Sequence, residues 1–465
     1  MIRTLVLLGA TGDLAGRFLL PGLAALQAAG RLTGDFLVVG AGRDDWDDEA
    51  FRRHARRCLQ QHAEDMPAAA REATVGALRY RRGDFTDPDS VARVLQAGEL
   101  GARPAPVAVY LALPPTLFAP TVSTLGAVGL PPGSRVVIEK PFGEDLEGAR
   151  KLNELLGRVS GDAGEQAVFR VDHVLGMATV QNLLGLRVGN PLLEAVWNSR
   201  HINRVEVLWE EDLALEGRAG YYDGTGALKD VMQNHMLQVM ALIAMEPPAG
   251  AAERDLRDRR AEALRAARPP PVERITSLTR RARYTAGRIG DRAVPAYAEE
   301  DGVDPGRRTE TFAEVVLEVG TERWAGTRFV LRAGKAMARR RKQAVLRFRA
   351  DERPPGAPAP KAAGNELRIG LDGPVDLALQ LTGSEAGTPS RPVPLMLTGP
   401  PPPSDLPAYG RVLLDVLAGR SMLSVRGDEA ELAWRVVTPV IEAWADNRVP
   451  LEEYPAGSGG PIPRP

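Results

Sequence analysis

Cysteine is nearly absent from this chain, since Cys58 is the only one in 465 residues. A single cysteine cannot form a disulfide within the chain, which favours a reducing compartment, the cytoplasm. The apolar run Ile2–Ala10 is short and is followed at once by Gly12 and Asp13, which is not the pattern of a secretory signal peptide. No apolar stretch reaches the ~18 residues of a membrane span. We therefore expect a cytoplasmic protein with no membrane partner.

An excess of charge of one sign is also missing. The chain carries 59 lysines and arginines against 60 aspartates and glutamates, for a net charge of -1. Without a basic surface, we expect no nucleic acid partner and no acidic membrane partner. Only five histidines are present, and no group of histidine, cysteine and carboxylate residues has the spacing of a metal site, so we predict no metal. Small molecules remain as the expected ligands.

Short apolar segments alternate with helical patterns over the first part of the chain. This rhythm indicates βαβ units and a parallel, doubly wound sheet. We therefore predict an α/β Rossmann-type dinucleotide-binding domain over residues 1–172. Its predicted strands are Arg3–Gly9, Phe36–Gly40, Leu78–Phe85, Val107–Leu113 and Arg135–Glu139, and its predicted helices are Gly12–Ala29, Asp47–His62, Asp89–Ala97 and Thr116–Val128.

The rhythm changes from Asn203 onward, where longer strands stand in one block and helices in another. Such segregation is typical of an α+β fold with a mainly antiparallel sheet. We predict a larger α+β domain of this kind over residues 173–465, which binds the substrate. Its predicted strands are Arg204–Trp209, Glu310–Val319, Arg328–Ala333, Gln343–Arg349, Glu366–Leu371 and Val375–Leu381, and its predicted helices lie within Leu228–Met245 and Ala251–Ala267.

A glycine-containing turn, GATGDLA over residues 9–15, links the first predicted strand to the first predicted helix. Glycines let the backbone approach a pyrophosphate, and a helix amino terminus offers unpaired N–H groups with a partial positive charge. The spacing GxxGxxA differs from GxGxxG, and the alternative is a plain tight turn. We predict cofactor binding here, through Gly9, Thr11, Gly12, Asp13 and Leu14.

The second predicted strand is followed by Arg43 and Asp44. An acidic residue at this strand end reads the ribose 2′-hydroxyl of NAD, whereas an arginine favours the 2′-phosphate of NADP. Because Arg43 comes first and its planar guanidinium suits a phosphate, we predict NADP as the cofactor. NAD use stays open, since Asp44 would repel that phosphate if it pointed inward. The alternative is that Asp44 only begins the acidic loop DDWDDE.

Lys140 follows the strand Arg135–Glu139 in the sequence EKPFG. Ligands of open α/β sheets bind beyond the carboxyl ends of the strands, so a lysine there can contact both cofactor and substrate. The alternative is an exposed surface lysine. Pro141 after it predicts a tight turn that a cis peptide bond would suit.

Asp172 and His173 follow the end of a strand, and His235 lies on a predicted helix among amide and apolar residues. Oxidation of a sugar hydroxyl needs a base with a pKa near neutral, which histidine supplies. A carboxylate on its other nitrogen would orient the imidazole and stabilise the imidazolium. We predict Asp172 and His235 as this dyad and His173 as a substrate ligand. The alternative for His235 is a hydrogen-bonded core histidine.

Long motifs in a fixed order run along the whole chain. They are GATGDLAG, EKPFGEDLEGARKLN, DHVLGMATVQNLLGLR, EGRAGYYDGTGALKDVMQNHMLQ, AMEPP, TETFAEV, LRAGKAM and YPAG. In these motifs the chain resembles the glucose-6-phosphate dehydrogenase family. The resemblance implies oxidation of the C1 hydroxyl of glucose 6-phosphate to 6-phosphogluconolactone, with reduction of NADP or NAD, as the first step of the oxidative pentose phosphate pathway.

The resemblance also implies roles for single residues. His235 takes the C1 hydroxyl proton, Asp172 pairs with His235, and His173 contacts the substrate phosphate. Lys140 lies between cofactor and sugar, and Arg43 matches the arginine at the NADP phosphate. The remaining implied substrate-binding residues are Glu216, Asp230, Lys335 and Arg340. Family members pair through the antiparallel sheet, which implies a homodimer or homotetramer and a dimerisation role for residues 173–465.

The chain departs from the family motifs at positions near the substrate. Val174 and Met177 replace the tyrosine and lysine of DHYLGK, which help to hold the 6-phosphate, and Gly16 replaces the lysine of GDLAK. One interpretation keeps glucose 6-phosphate, with Arg17 or Arg218 as a substitute cation. A second is a paralogue that oxidises C1 of an unphosphorylated or modified hexose. A third is a catalytically weak relative with a binding or regulatory role.

Overall fold

The computed structural model describes residues 1–98, 105–217, 219–250, 252–349, 364–372, 377–400 and 404–462. The chain forms two compact units. The first comprises Met1–Ala178, Ala251–Arg257 and Pro403–Glu431, and the second comprises Thr179–Gly250, Asp258–Pro402 and Leu432–Pro465. The domain boundary predicted after Asp172 and the dimerisation role of the second domain stay predictions.

The strands and helices follow one another along both units. The strands are β1 Thr4–Leu8, β2 Leu37–Gly42, β3 Leu78–Arg82, β4 Val107–Leu111, β5 Arg135–Glu139, β6 Val168–Val171, β7 Ile202–Glu210, β8 Ala267–Arg268, β9 Thr279–Thr285, β10 Gly287–Ile289, β11 Arg292–Val294, β12 Phe312–Val319, β13 Arg328–Gly334, β14 Arg341–Phe348, β15 Glu366–Gly370, β16 Leu377–Glu385, β17 Thr388–Gly399 and β18 Leu451–Pro455. The helices are α1 Leu20–Ala28, α2 Asp48–His62, α3 Ala68–Gly76, α4 Pro88–Gln96, α5 Phe118–Val128, α6 Leu146–Ser160, α7 Ala178–Val188, α8 Pro191–Val196, α9 Ala219–Tyr222, α10 Leu237–Ala244, α11 Glu253–Ala266, α12 Ile275–Leu278, α13 Ala408–Ala418 and α14 Gly427–Ala445. Two wide π-helical segments, Ala15–Leu19 and Leu228–Met236, precede α1 and α10. None of the helices in the described part of the chain has the length and apolar character that crossing a membrane requires.

The first unit is built on a six-stranded sheet in the order β3-β2-β1-β4-β5-β6. All its strand pairs are parallel, and every residue of β1 is buried because helices cover both faces of such a sheet. The strand order reverses between β1 and β4, where doubly wound sheets open a crevice at their carboxyl edge. The core of this unit also includes apolar side chains of α13, such as Leu413 and Leu417.

The second unit is built on a ten-stranded sheet in the order β17-β16-β15-β14-β7-β13-β12-β9-β18, with β8 beside β12. Its pairs are antiparallel except for β7 with β13 and β9 with β18. Side chains alternate along strands such as β12, where buried positions face the core and the intervening ones are more exposed.

The predicted fold class is confirmed in both parts, a parallel α/β unit and a larger unit with a mainly antiparallel sheet. The helix predicted over Gly12–Ala29 is a π-helical segment followed by α1, and the helices predicted within Leu228–Met245 divide in the same way into Leu228–Met236 and α10. The strand predicted over Val375–Leu381 is observed as β16 from Leu377 on, because residues 373–376 lie outside the described part.

Candidate active site

The loop after β1 leaves a bare backbone surface at the carboxyl edge of the parallel sheet. Gly9 has φ +87°, and a Cβ there would lie 2.2 Å from the carbonyl oxygen of Ala112, just after β4. At Gly12 a Cβ would meet only the Gly9 oxygen, at 3.3 Å. Asp13 is exposed, and Leu14 packs against the core. Gly9 therefore lets the loop pack closely against the segment after β4, while Gly12 leaves the backbone open beside a helix amino terminus, which fits a pyrophosphate.

The end of β2 places Arg43 and Asp44 in different environments. The Asp44 carboxylate accepts a hydrogen bond from the Thr11 hydroxyl at 2.7 Å, and its carbonyl oxygen accepts one from the Tyr80 hydroxyl at 3.0 Å. Arg43 is exposed beside them. Asp44 is exposed as well, so this strand end presents a guanidinium that suits a 2′-phosphate beside a carboxylate that the Thr11 hydroxyl holds toward the β1 loop.

Lys140 lies directly beyond β5, is half-buried, and forms a cis peptide bond with Pro141. The last residue of β5, Glu139, is buried, and its carboxylate accepts a hydrogen bond from the Tyr110 hydroxyl at 2.5 Å. Burial raises the pKa of Glu139 to about 7, although the Tyr110 hydrogen bond and the Lys140 charge act to lower it. A buried carboxyl group with a near-neutral pKa therefore stands beside the predicted ligand lysine.

Asp172 and His173 lie at the end of β6. Asp172 is 2% exposed, and its Oδ1 accepts a hydrogen bond from the backbone N–H of Val174 at 3.1 Å, which caps the short turn that follows. The His173 ring stacks on the ring of Tyr409 from α13, with centroids 5.6 Å apart and planes 17° apart. On the neighbouring strand β5, Glu139 lies opposite Val171, the residue before Asp172. Asp172, His173, Glu139, Tyr110 and Tyr409 form what we call the Asp172 corner.

The positions that depart from the family motifs have different surroundings. Val174 is fully buried in the first unit, so a polar group at this position has no open surface. At Gly16 a Cβ would lie 2.9 Å from the Cys58 sulfur, so a longer side chain has no room without a shift of Cys58. Met177 is half-buried and is the only one of these with an accessible side chain. Arg218, a candidate substitute cation, lies outside the described residues.

In the second unit, His235 lies on the π-helical segment Leu228–Met236 and is 4% exposed. Its ring stacks on Trp209 of β7, with centroids 5.6 Å apart. Asn234 accepts a hydrogen bond from the backbone N–H of His235 at 2.7 Å and donates one to the Lys229 carbonyl oxygen at 3.0 Å. Wide turns of this kind are frequent at functional sites. His235 is a buried, fixed imidazole, and its pairing with Asp172 stays a prediction.

A pair of lysines surrounds a single carboxylate near Trp209. Lys342 lies over the Trp209 ring, with its Nζ 4.3 Å from the centroid. Glu211 accepts from Lys335 at 2.8 Å and pairs with Lys342 at 3.1 Å. Lys335 also lies over the Tyr222 ring, 5.1 Å from its centroid. The predicted substrate ligand Lys335 is thus held in place by an ion pair and an aromatic ring.

The same cluster continues to Arg340. Lys342 pairs with Asp372 at 3.4 Å, and Asp372 pairs with the exposed Arg340. The structure therefore links Lys335 and Arg340 through alternating charges within the second unit. Since Lys342 also lies on Trp209, against which His235 stacks, the predicted base belongs to this neighbourhood.

The other predicted sugar ligands are acidic. Asp230 is half-buried, lies on the same π-helical segment as His235, and accepts a hydrogen bond from the Tyr221 hydroxyl at 3.4 Å. Glu216 is exposed, has φ +50°, and pairs with Arg292 at 2.6 Å. Left-handed backbone at a residue other than glycine costs free energy and clusters at functional sites. The roles of Asp230 and Glu216 in substrate binding stay predictions.

We expect Glu211→Gln to lower the free energy of unfolding by about 1.5–3 kcal/mol near neutral pH, because it removes charge-assisted hydrogen bonds. Burial would raise the pKa of Glu211, but the Lys335 and Lys342 charges lower it from 4.5 to about 2. The stabilisation is therefore present above pH 4.5 and is lost as the pH falls toward about 2. Urea unfolding of both proteins at a series of pH values measures this.

A matched control for this substitution is Glu453→Gln. Glu453 forms an ion pair with Arg283 at 3.4 Å, and its side chain is 55% exposed. Exposed ion pairs contribute about 0–1 kcal/mol, so this variant should unfold like the wild type. A Glu211→Gln effect no larger than the control, or one that does not shrink in acid, would contradict the assigned ion pairs.

Some residues at these sites carry no sequence signal for their role. Tyr409 belongs to a helix that is far along the chain from the strands it packs beside, so no local pattern connects it with His173. Trp209 fits the pattern of an ordinary strand residue, and nothing in the surrounding sequence indicates its contact with His235. Glu139 is different, because it stands in the EKPFG motif at the end of a buried strand. That position, at the ligand-binding edge of a parallel sheet, is a signal that points to it.

Two family models match the chain and together cover almost all of it. The model described as "Glucose-6-phosphate dehydrogenase, NAD binding domain" matches residues 6–182, and "Glucose-6-phosphate dehydrogenase, C-terminal domain" matches residues 184–464. The predicted dinucleotide-binding domain is therefore confirmed as a domain type.

Relatives with similar sequences extend over the same length. The glucose-6-phosphate 1-dehydrogenase of Mycolicibacterium smegmatis is 39% identical over 470 residues, which cover 98% of this chain and 94% of the relative. That of Zymomonas mobilis is 35% identical and covers 99% of this chain and 96% of the relative. These identities extend over both structural units.

Solved structures agree with the sequence relatives. The glucose-6-phosphate 1-dehydrogenase of Mycobacterium avium superposes with a TM-score of 0.84 at 32% identity, over 99% of this chain and 95% of that one. A glucose-6-phosphate dehydrogenase in complex with its substrate glucose 6-phosphate superposes with a TM-score of 0.87 at 28% identity, over 99% and 96%. The predicted resemblance is confirmed, and the chain belongs to the glucose-6-phosphate dehydrogenase family.

Proposed function

We propose that the chain oxidises the C1 hydroxyl of glucose 6-phosphate to 6-phosphogluconolactone with NADP as hydride acceptor, the first step of the oxidative pentose phosphate pathway. The observation that supports this most is the full-length likeness to a relative solved with glucose 6-phosphate. The chain also keeps Lys140, Asp172, His173 and His235 in the family motifs. A catalytically weak relative would have no need of the base, its carboxylate partner and the lysine.

In this proposal His235, Asp172 and Lys140 have separate roles in the oxidation of C1. His235 takes the C1 hydroxyl proton on an imidazole nitrogen, and the C1–O bond becomes a carbonyl as C1 loses a hydride. Asp172 orients the imidazole through its other nitrogen and stabilises the imidazolium that forms. Bound NADP supplies the acceptor for the hydride. Lys140 contacts both cofactor and sugar from the end of β5.

The remaining residues position the substrate. His173 binds the 6-phosphate from its fixed place on the Tyr409 ring. Sugar hydroxyls are natural partners for carboxylates and ammonium groups, which accept and donate hydrogen bonds respectively. In this proposal the sugar ligands are Glu216, Asp230, Lys335 and Arg340.

Steady-state kinetics test the proposal directly. We expect turnover with glucose 6-phosphate, and a higher kcat/KM for it than for glucose, with NADP and with NAD. If the two sugars have equal specificity constants, the 6-phosphate is not recognised, and a paralogue for an unphosphorylated hexose becomes the better interpretation. Absence of turnover with either sugar would favour a binding or regulatory relative.

We expect Arg43→Ala to raise KM for NADP by about 10- to 100-fold, because a hydrogen bond to a charged group contributes about 1.5–3 kcal/mol. KM for NAD, which lacks the 2′-phosphate, should change by less than about threefold. Initial rates against each dinucleotide at saturating glucose 6-phosphate measure this. Arg53→Ala, at an exposed position of α2, is the control. Equal losses for both dinucleotides would rule out a phosphate contact at Arg43.

We infer that the active form is a homodimer or homotetramer that assembles through the ten-stranded sheet, as the family resemblance implies. Light scattering of the purified protein measures its mass, and a monomer at working concentration would contradict this. The inferred location is the cytoplasm, which suits a chain whose only cysteine is Cys58.

A further inference from the structure

Three of the long sequence motifs contain a residue that has no role in the proposed reaction. These residues are Arg187 in DHVLGMATVQNLLGLR, Met245 in AMEPP and Glu310 in TETFAEV. In the second unit all three lie at the ends of one helix, which consists of the π-helical segment Leu228–Met236 and α10. This helix carries His235, the predicted base.

The carboxyl end of α10 is held by Arg187, a residue of α7. Its Nη1 donates hydrogen bonds to the carbonyl oxygens of Leu242 at 3.0 Å and Met245 at 2.8 Å. Arg187 is 2% exposed, and its charge is balanced by Glu194 at 3.4 Å. Because the carbonyl groups at a helix carboxyl end carry a partial negative charge, a buried guanidinium is a favourable partner for them.

Two tryptophans complete this end of the helix. The indole N–H of Trp197 donates to the Ile243 carbonyl oxygen at 2.9 Å, and that of Trp324 donates to the Ala244 carbonyl oxygen at 2.7 Å. The Ala241 carbonyl oxygen accepts the first backbone N–H beyond the helix at 2.9 Å. The last four carbonyl groups of an α-helix have no partner within it, and here each of the four accepts a hydrogen bond. The end of α10 is therefore fixed against the segments around it.

The amino end of the same helix is held by Glu310. Its carbonyl oxygen accepts a hydrogen bond from the backbone N–H of Ala227 at 3.2 Å, and its carboxylate accepts one from that of Leu228 at 3.0 Å. The first N–H groups of a helix have no partner within it, so Glu310 satisfies two of them from outside. Gly226 leaves room for this contact, since a Cβ there would lie 2.8 Å from the carboxyl carbon of Glu310.

The two held ends preserve the wide turns between them. A π-helical turn closes its hydrogen bonds between residues five apart instead of four, and so takes up one residue more than an α-helical turn. The segment can become α-helical only if one of its ends shifts. Such a shift would rotate the side chains of the moving part by about 100° about the helix axis. His235 lies within this segment, so its direction depends on both ends.

We propose that Arg187 and Glu310 are positioning residues, which hold the two ends of this helix so that its wide turns persist and His235 keeps the orientation that the oxidation of C1 requires. The inference rests on the proposed function for its effect on catalysis. A catalytic group that is misplaced by about 1 Å can slow a reaction by about 100-fold, so loss of either contact should appear in the chemical step.

Glu310→Ala tests the amino end, and Glu310→Gln is its conservative counterpart, because the amide oxygen can still accept the Leu228 N–H bond. We expect Glu310→Ala to lower kcat for glucose 6-phosphate by about 10- to 100-fold. KM for NADP should stay within about threefold of the wild type, since the dinucleotide-binding domain does not contain this helix. Glu310→Gln should restore kcat to within about threefold of the wild type.

Arg187→Lys tests the carboxyl end and keeps the proposal testable if Glu310→Ala does not fold. A single ammonium group cannot reproduce the fork of donors of a guanidinium, so we expect kcat to fall by about tenfold or more. Asp87→Ala is the matched control, because it removes a carboxylate that accepts backbone N–H bonds at the start of α4 in the first unit. Its kcat should stay within about twofold of the wild type.

A double-mutant cycle with His235→Asn separates positioning from a loss of stability. If Glu310 acts through His235, adding Glu310→Ala should change the residual kcat of His235→Asn by less than about threefold, since the base that it positions is already gone. A further loss as large as the one that Glu310→Ala causes alone would contradict the proposal.

Hydrogen–deuterium exchange of the substrate-free protein measures the helix itself. In Glu310→Ala we expect amide exchange over Leu228–Met236 to become about tenfold faster or more, while peptides of the first unit exchange as in the wild type. Unchanged exchange in this segment, or a kcat within about threefold of an active wild type, would overturn the proposal. If the wild type does not oxidise glucose 6-phosphate, the proposed function fails, and the exchange experiment alone decides whether Glu310 holds the helix.

Discussion

His235→Asn should lower kcat for glucose 6-phosphate oxidation by about 10²–10⁴-fold, the usual contribution of a general base. Asparagine keeps a polar side chain of similar length at this buried position but cannot take a proton at neutral pH. Because the substituted group acts in the transition state, KM should change much less than kcat. Initial rates with NADP at saturating and limiting sugar separate the two parameters.

The substitution also removes a ring from the stack on Trp209, so lost packing has to be separated from lost chemistry. His54→Asn is the matched control, because it also removes a histidine ring that lies against a tryptophan, Trp46, in the first unit. Thermal unfolding of both variants reports the packing loss. If His235→Asn binds dinucleotide, stays folded and retains more than about a tenth of the wild-type kcat, His235 is a core histidine and not the base.

The sheet class and the position of the site are determined by patterns that act locally. A buried strand such as Thr4–Leu8 reads as continuous apolar sequence because both of its faces are covered. The carboxyl edge of a parallel sheet then brings the residues after β1 and β5 to one side. For this reason Gly9 and Lys140 could be predicted as ligand-binding residues from their place in the strand order, before any distance was known.

Some side chains at the site come from segments that are distant in sequence, and local sequence patterns do not show that they are neighbours. Tyr409 packs into the first unit from a helix late in the chain, and only the tertiary structure brings its ring under His173. The ion pairs of Glu211 form because β7, β13 and β14 are neighbours in the sheet. Packing of the whole sheet decides which strands become neighbours over such sequence distances. For this reason the contact of Tyr409 with His173 and the lysine partners of Glu211 could not be identified from the surrounding sequence.

Met177→Lys should lower KM for glucose 6-phosphate by about 10- to 100-fold, because it adds one charge-assisted hydrogen bond of about 1.5–3 kcal/mol to the 6-phosphate. Met177 directly follows the short turn that begins with His173, and its backbone N–H bonds the Val174 carbonyl oxygen at 3.1 Å. Its side chain is half-buried, so part of it is accessible to a ligand. Initial rates over a range of glucose 6-phosphate concentrations measure the change.

Lysine substitutions at the other two positions that depart from the family motifs would be weaker tests of 6-phosphate binding than the one at position 177. Val174 is fully buried, and Gly16 packs against Cys58, so a lysine at either place would test folding before substrate binding.

Met396→Lys is the control for Met177→Lys, since it adds the same charge at a side chain that is 44% exposed on β17. KM for glucose should not respond to Met177→Lys, because glucose has no phosphate. A KM for glucose 6-phosphate that matches the wild type would mean that residue 177 does not face the phosphate, and Arg17, which now pairs with Asp13 at 3.6 Å, would become the next cation to test.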